Sequence, residues 1–168
     1  MAVRKFFTDS IEVSCALDPV NRTLLVRRPE DGRTMYSLYD LAQADDGFKR
    51  PSVTFEEPAG VRREQARSDL QGFAVWGRYA YVLLGTGGHA GTTKDPFDSA
   101  LAAIDMSTGE IVERRLTSAG RSLIGREPEG LAVNIRNGRP ELCFGLSSQP
   151  SAESELRLAN VFAVDTLV

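Results

Sequence analysis

Apolar and polar residues alternate along this chain in short segments, and turn residues separate one segment from the next. The apolar segments are rich in Val, Leu, Tyr and Phe. Dipeptides typical of turns lie between them, among them Asp18-Pro19, Asp31-Gly32, Thr108-Gly109 and Asn137-Gly138. Short alternating segments bounded by such dipeptides are typical of antiparallel β-strands. The pattern therefore predicts an all-β fold.

One pattern recurs along the chain with a period of about 58 residues. The aligned segments are Ser14–Asp18, Gln71–Val75 and Glu129–Val133. Within them, Cys15, Phe73 and Leu131 follow one another at intervals of 58 positions. A fixed period with insertions confined to loops is typical of repeat proteins, in which each unit packs on its neighbours.

Further predicted strands follow each aligned segment. The second strands are Thr23–Arg28, Tyr79–Leu84 and Glu141–Leu146, the third strands end at Asp40, Asp105 and Asp165, and fourth strands lie near Ser52–Glu56 and Glu110–Leu116. We therefore expect a single domain over residues 1–168, with units at about 11–57, 69–118 and 127–168. Each unit is interpreted as a four-stranded blade of a β-propeller.

The third unit lacks a fourth strand of its own, and Val3–Thr8 resembles the fourth strand of the second unit in residue class. An N-terminal strand that completes the last blade would protect its open edge. Three blades are too few for a ring, since propellers have about four to eight. The sequence thus predicts a half-propeller that closes as a six-bladed homodimer, with a β-sandwich as the competing fold.

Composition narrows the classes of function. The net charge is −3 and the pI is about 5.3, which gives no electrostatic reason to expect binding to nucleic acid or to a membrane surface. The start of the chain has no apolar run typical of a signal peptide, so a cytoplasmic protein or a truncated form of a secreted one is expected. Cys15 and Cys143 are interpreted as small buried apolar residues.

Candidate binding residues lie where polar loops enter the predicted inner strands. Gln71 and Glu129 hold the same position in the repeat and would face the mouth of a central channel. The loops before them contribute Asp69, Arg126 and Glu127. Such groups can bind sugar hydroxyls, act as acid and base, or bond to the backbone of a neighbouring blade.

Three hypotheses about function follow. The first is a binding module for a glycan or another polyhydroxylated ligand, in which Trp76 would stack on a sugar face. The second is a hydrolase or lyase that uses Glu127 and Glu129, and the third is a structural protein of an assembly. No cofactor is expected, although carboxylates that converge on a channel could bind Ca²⁺. His89, the one histidine, lies in a glycine-rich loop that lacks the P-loop pattern.

Two segments of the chain resemble a known group of proteins. Gln71–Gly85 and Arg126–Val133 are similar to propeller proteins of Gram-positive bacteria, including helveticin J-like bacteriocins and proteins associated with teichoic acid or phage tails. The resemblance covers most of the chain and corresponds to the C-terminal portion of those proteins. It implies a carbohydrate-related or cell-surface role in an actinobacterium-like host. A weaker resemblance to calcium-dependent propeller hydrolases implies a Ca²⁺ site at Glu129, with Asn134 and Asp69 as the nearest candidates for its further ligands.

Overall fold

The prediction of an all-β fold is confirmed by the structure, a computed structural model that describes residues 12–61, 69–85 and 99–164. In that part of the chain, eleven strands form three antiparallel sheets, and within each sheet the strands pair in the order of the sequence. None of its helices is long and apolar enough to cross a membrane. The predicted strand Val3–Thr8 and the His89 loop lie outside the described residues.

Each sheet is a simple up-and-down meander. Sheet 1 comprises β1 (Ser14–Asp18), β2 (Thr23–Glu30), β3 (Arg33–Asp40) and β4 (Val53–Glu56), with a 3₁₀ helix at Leu41–Asp46 between the last two. Sheet 2 comprises β5 (Asp69–Trp76), β6 (Tyr79–Gly85), β7 (Ala100–Asp105) and β8 (Glu110–Leu116). Sheet 3 comprises β9 (Ile124–Arg136), β10 (Arg139–Gln149) and β11 (Leu158–Val164), so it has three strands among the described residues instead of the four expected.

The three sheets are stacked, with sheet 2 in the middle. One face of sheet 2 packs on sheet 1 through a core that includes Leu25, Tyr36 and Phe73. Its other face packs on sheet 3 through Tyr81, Leu142 and further apolar residues. Successive side chains of a strand point to opposite faces, which is why sheet 2 needs apolar residues at both alternating sets of positions.

The first strands of the three sheets lie next to one another. β1 contacts β5, and β5 contacts β9. The backbones of β5 and β9 approach closely at Gly72, where an added Cβ would lie 2.6 Å from the amide nitrogen of Leu131 and 2.8 Å from the Cα of Gly130. Glycine is therefore required at Gly72 because the backbone of the next sheet occupies the place of a side chain.

One end of the stack is closed by short turns and buried aspartates. At this end, which we call the turn end, the Asp18 carboxylate is fully buried and accepts hydrogen bonds from the backbone of Asn21 (2.9 Å) and Gly77 (3.0 Å). Gly77 belongs to the β5–β6 turn, so Asp18 joins sheet 1 to sheet 2. Arg78, the other residue of that turn, donates to the Asp105 carboxylate.

Candidate functional site

The opposite end of the stack, which we call the cleft end, carries a polar cleft between sheet 1 and the start of β5. Its volume is about 430 Å³, and its lining residues are Glu12, Ser14, Arg27, Pro29, Thr34, Asp69 and Leu70. Five of these seven side chains are polar or charged. The lining offers carboxylates that accept hydrogen bonds, a guanidinium that donates them, and hydroxyls that do both.

Arg27 forms one wall of the cleft and is held there by a buried network. Its Nε donates to Glu57 Oε2 at 3.0 Å, and the Tyr36 hydroxyl donates to the same oxygen at 2.9 Å. Burial, and next the Glu57 carboxylate, raise the pKa of Tyr36 well above its ordinary value. The hydroxyl therefore stays a donor at neutral pH, and the Arg27 side chain is positioned before any ligand arrives.

Gln71 and Glu129 both lie at β-bulges in the first strands of their sheets. The β5–β6 register shifts between Leu70 and Gly72, and the β9–β10 register shifts opposite Glu129. The Gln71 side chain donates to the carbonyl oxygen of Gly85 at 3.3 Å, within its own sheet, whereas the Glu129 side chain is exposed. Bulges re-aim side chains and often lie beside functional sites. The ligand-binding role of Gln71 and Glu129 stays a prediction.

Arg126 ties sheet 3 to sheet 2. It is buried, its Nε donates to the carbonyl oxygen of Ala119 at 3.0 Å, and its Nη2 donates to the Ser99 hydroxyl at 2.8 Å. These partners indicate a structural role. Glu127 accepts from Arg157 at 2.6 Å on the partly exposed side of the same strand.

Trp76, predicted as a sugar platform, packs in the core between sheets 2 and 3. Its neighbours there include Ala74, Tyr81 and Leu142. A ring with one face against other side chains has less area to offer a sugar. The indole therefore contributes to the packing of the two sheets, and its stacking on a sugar stays a prediction.

The three candidate metal ligands do not come together. Asn134 lies five positions beyond Glu129 on the same strand, a separation of roughly 16 Å at the rise of an extended chain. Asp69 lines the cleft beside sheet 1 instead. Within the described parts of the chain, no three His, Cys, Asp or Glu side chains are grouped as a metal site requires.

Several cleft residues escaped the sequence analysis. Ser14, Arg27 and Thr34 lie on three different strands of sheet 1, and Asp69, which the sequence did single out, comes from sheet 2. The repeat pattern marks the starts of first strands, which is why it finds Asp69. It contains no signal for Arg27 or Thr34, because these residues reach the cleft through strand pairing and sheet packing.

Comparisons with solved structures show a likeness in fold. No family model matches the chain, and no curated protein does. Among solved structures, the tail fibre of Staphylococcus aureus phage P68 is similar over 89% of this chain, with a TM-score of 0.65 and 16% sequence identity. The chain spans 28% of the length of that tail fibre. At this level of identity the likeness concerns the fold alone.

Proposed function

We propose that this chain is a non-catalytic binding module that recognises a glycan or another polyhydroxylated ligand in the polar cleft. The observation that carries the proposal is the cleft itself, with Asp69 on one wall and Arg27 on the other. Its volume lies in the range of small-molecule sites, which is about 300–1,000 Å³. Such sites are usually apolar, so a polar lining favours a ligand with many hydroxyls.

The lining chemistry suits sugar hydroxyls. A carboxylate such as that of Asp69 accepts hydrogen bonds from two neighbouring hydroxyls, and a guanidinium donates to ring or hydroxyl oxygens. Ser14 and Thr34 can do either. Because Arg27 is already anchored by Glu57, little side-chain entropy is lost when a ligand binds.

The test begins with the purified chain on an array of immobilised glycans, followed by calorimetry with the best-bound glycan in solution. We expect Asp69→Ala and Thr34→Ala each to weaken binding about tenfold, the loss of one or two hydrogen bonds. Asp40→Asn, at the turn end, is the control and should bind like the unmodified chain. Absence of binding across the array, or unchanged affinity in both cleft variants, would contradict the proposal.

The architecture proposed for this module is a three-bladed half of a propeller that closes as a homodimer. Its support is the side-by-side arrangement of β1, β5 and β9, since adjacent first strands are how propeller blades surround an axis. Light scattering at micromolar concentration should give twice the mass of the chain. A well-folded monomer would contradict the dimer and leave ligand binding in the cleft to be judged by calorimetry.

A second candidate is a structural role in an assembly, which is favoured by the fold likeness to a tail fibre. A hydrolase or lyase using Glu127 and Glu129 has less support, because the Glu127 carboxylate is paired with Arg157. Turnover of the bound glycan would favour the enzyme over the binding module. No glycan binding with a defined oligomer would favour the structural role.

A further inference from the structure

The face of sheet 3 that points away from sheet 2 is open in the part of the chain that the structure describes. Successive side chains of a strand point to opposite faces, and Leu131, Phe144 and Phe162 point into the core with sheet 2, so the residues next to them in sequence point outward. The outward residues in the middle of the sheet are small or apolar, and the polar residues Asn134, Glu141 and Ser147 lie beyond them on the same face: the small or apolar ones are Ala132, Cys143, Gly145, Ala159, Val161 and Ala163. Val161 is 75% exposed. An apolar patch of this kind in the middle of a sheet face indicates a surface that another element covers.

The face of sheet 1 that points away from sheet 2 is open along β1. Cys15 is exposed there, and Leu17 is 56% exposed, although both belong to an apolar strand. The 3₁₀ helix and Phe48 cover the β2–β3 side of this face, where Val26 and Tyr39 are buried. The open part of sheet 1 is therefore the β1 side.

The open face of sheet 3 is equivalent, by strand register, to the faces of sheets 1 and 2 that pack on the next sheet of the stack. Ala16 pairs with Leu25, Ala74 with Tyr81, and Ala132 with Cys143. Leu25 and Tyr81 are both buried against the next sheet. Cys143 holds the same place on sheet 3, where no next sheet follows among the described residues.

The open face of sheet 1 is equivalent to the faces of sheets 2 and 3 that pack on the preceding sheet. Phe73 and Leu131 both pack against the preceding sheet, and Cys15 is their counterpart on sheet 1. Leu25 and Phe73 share one core cluster, and Tyr81 and Leu131 share another. A contact of sheet 3 with sheet 1 built like the two internal ones would place Cys143 beside Cys15.

We propose that a second copy of this chain docks the β1 side of its sheet 1 on the outer face of sheet 3, bringing Cys15 of one copy beside Cys143 of the other. The proposal rests on the homodimer proposed above and specifies its contact surfaces. A second copy is the occupant because the open face of sheet 3 is equivalent to the faces that pack on the next sheet, and the open face of sheet 1 is equivalent to the faces that pack on the preceding sheet. The open face of sheet 3 is therefore complementary to the open face of sheet 1, and neither is complementary to itself. A two-fold rotation forms this contact twice and leaves neither face open.

Thiol cross-linking tests the contact. A short bis-maleimide joins two cysteines when each thiol adds across one maleimide double bond. We expect it to give a covalent dimer with the unmodified chain, and Cys15→Ser or Cys143→Ser alone to lose that product. A mixture of the two variants should recover it, because one copy supplies Cys143 and the other supplies Cys15. Recovery on mixing is specific to a head-to-tail contact.

A second pair of variants tests the same surface without cysteine chemistry. Val161→Asp should weaken self-association about tenfold or more, since it places a charge on the docked face. Val20→Asp, at a comparably exposed position in the β1–β2 turn, is the control and should leave association unchanged. Both side chains are exposed, so neither change disturbs the core, and circular dichroism should be the same for both.

The outcomes separate this contact from the wider proposals. Cross-linking that persists in Cys15→Ser, or a dimer by light scattering that resists Val161→Asp, would overturn the head-to-tail contact while the homodimer stands. A monomer by light scattering with no cross-linked product would overturn both. Ligand binding is measured independently on the same samples, because the cleft lies between sheets 1 and 2 of one chain.

Discussion

The two ends of the sheet stack use polar residues in opposite ways. At the turn end, Asp18 and Asp105 are buried, and both bond to the short β5–β6 turn at Gly77 and Arg78. At the cleft end, Asp69 is exposed and lines an open polar cleft. Carboxylates of the same type thus stabilise the stack at one end and are available to a ligand at the other. Burial decides which role a carboxylate has, because a buried one must have its hydrogen bonds satisfied inside the protein.

Between the two ends, sheets 2 and 3 are in backbone contact at Gly72, and we expect the largest loss of stability from a substitution there. Gly72→Ala should lower the free energy of unfolding by about 3 kcal/mol, because the new Cβ would overlap the backbone of Gly130 and Leu131. Gly32→Ala is the control and should cost about 1 kcal/mol from its positive φ, since an added Cβ there meets nothing within 4 Å. Urea unfolding measures both. Equal losses in the two variants would show that sheets 2 and 3 separate easily.

The turn end should be sensitive to a single atom. Asp18→Asn keeps the shape of the side chain but replaces one carboxylate oxygen by an NH₂ group. In the native protein that oxygen accepts from Asn21 Nδ2 and the Gly77 amide, so in the variant two donors would face each other. We expect a loss of about 2–3 kcal/mol of unfolding free energy. Asp40→Asn is the matched control, because asparagine caps a helix as well as aspartate does, and it should be neutral. A neutral Asp18→Asn would remove the distinction between the two ends.

Arg126 tests whether the cleft end also contains structural polar groups. Arg126→Met keeps the length of the side chain and removes its bonds to Ala119 and Ser99, so we expect a loss of about 2 kcal/mol. Arg157→Met removes a partly exposed ion pair with Glu127 and should cost less than about 0.5 kcal/mol. If Arg126→Met instead leaves stability unchanged and weakens glycan binding, Arg126 is a ligand residue, as the sequence suggested.

The turn end should also respond to acid. The hydrogen bond from Arg78, followed by those from Ser107, lowers the pKa of Asp105 to about 2. A folded-state pKa below the unfolded value of about 3.9 stabilises the fold above pH 4, and this contribution is lost as the pH falls from about 4 to 2. Arg78→Ala should therefore flatten the pH dependence of urea unfolding in that window. An unchanged slope would mean that Arg78 does not act on Asp105 in solution.

The smallest effect on stability is expected in the cleft. Asp69→Asn should change the free energy of unfolding by less than about 0.5 kcal/mol, because the side chain is exposed. The same variant should weaken glycan binding measurably. A loss of stability comparable to that of Asp18→Asn would mean that the cleft carboxylate is structural, and the comparison between the two ends would fail.

The sequence was most informative where the local pattern alone decides the structure. Alternation and turn dipeptides identified the first strands around Cys15, Phe73 and Leu131, since both are properties of neighbouring residues. It was least informative for the site. Arg27 and Asp69 line one cleft although they belong to different sheets. Trp76, predicted to stack on a sugar, packs against a core cluster that includes Leu142, a residue far along the chain.

By itself, the sequence determined that the protein is all-β and located the middle of most strands. It placed Asp69, Arg126 and Glu127 in loops, whereas they lie within β5 and β9, because these strands begin earlier than predicted. Only the tertiary structure decided which polar residues are structural and which are available to a ligand. Asp18 and Asp69 have the same side chain, and no local pattern distinguishes them. The difference arises because the Gly77 turn closes over the first, whereas sheet packing leaves a cleft beside the second.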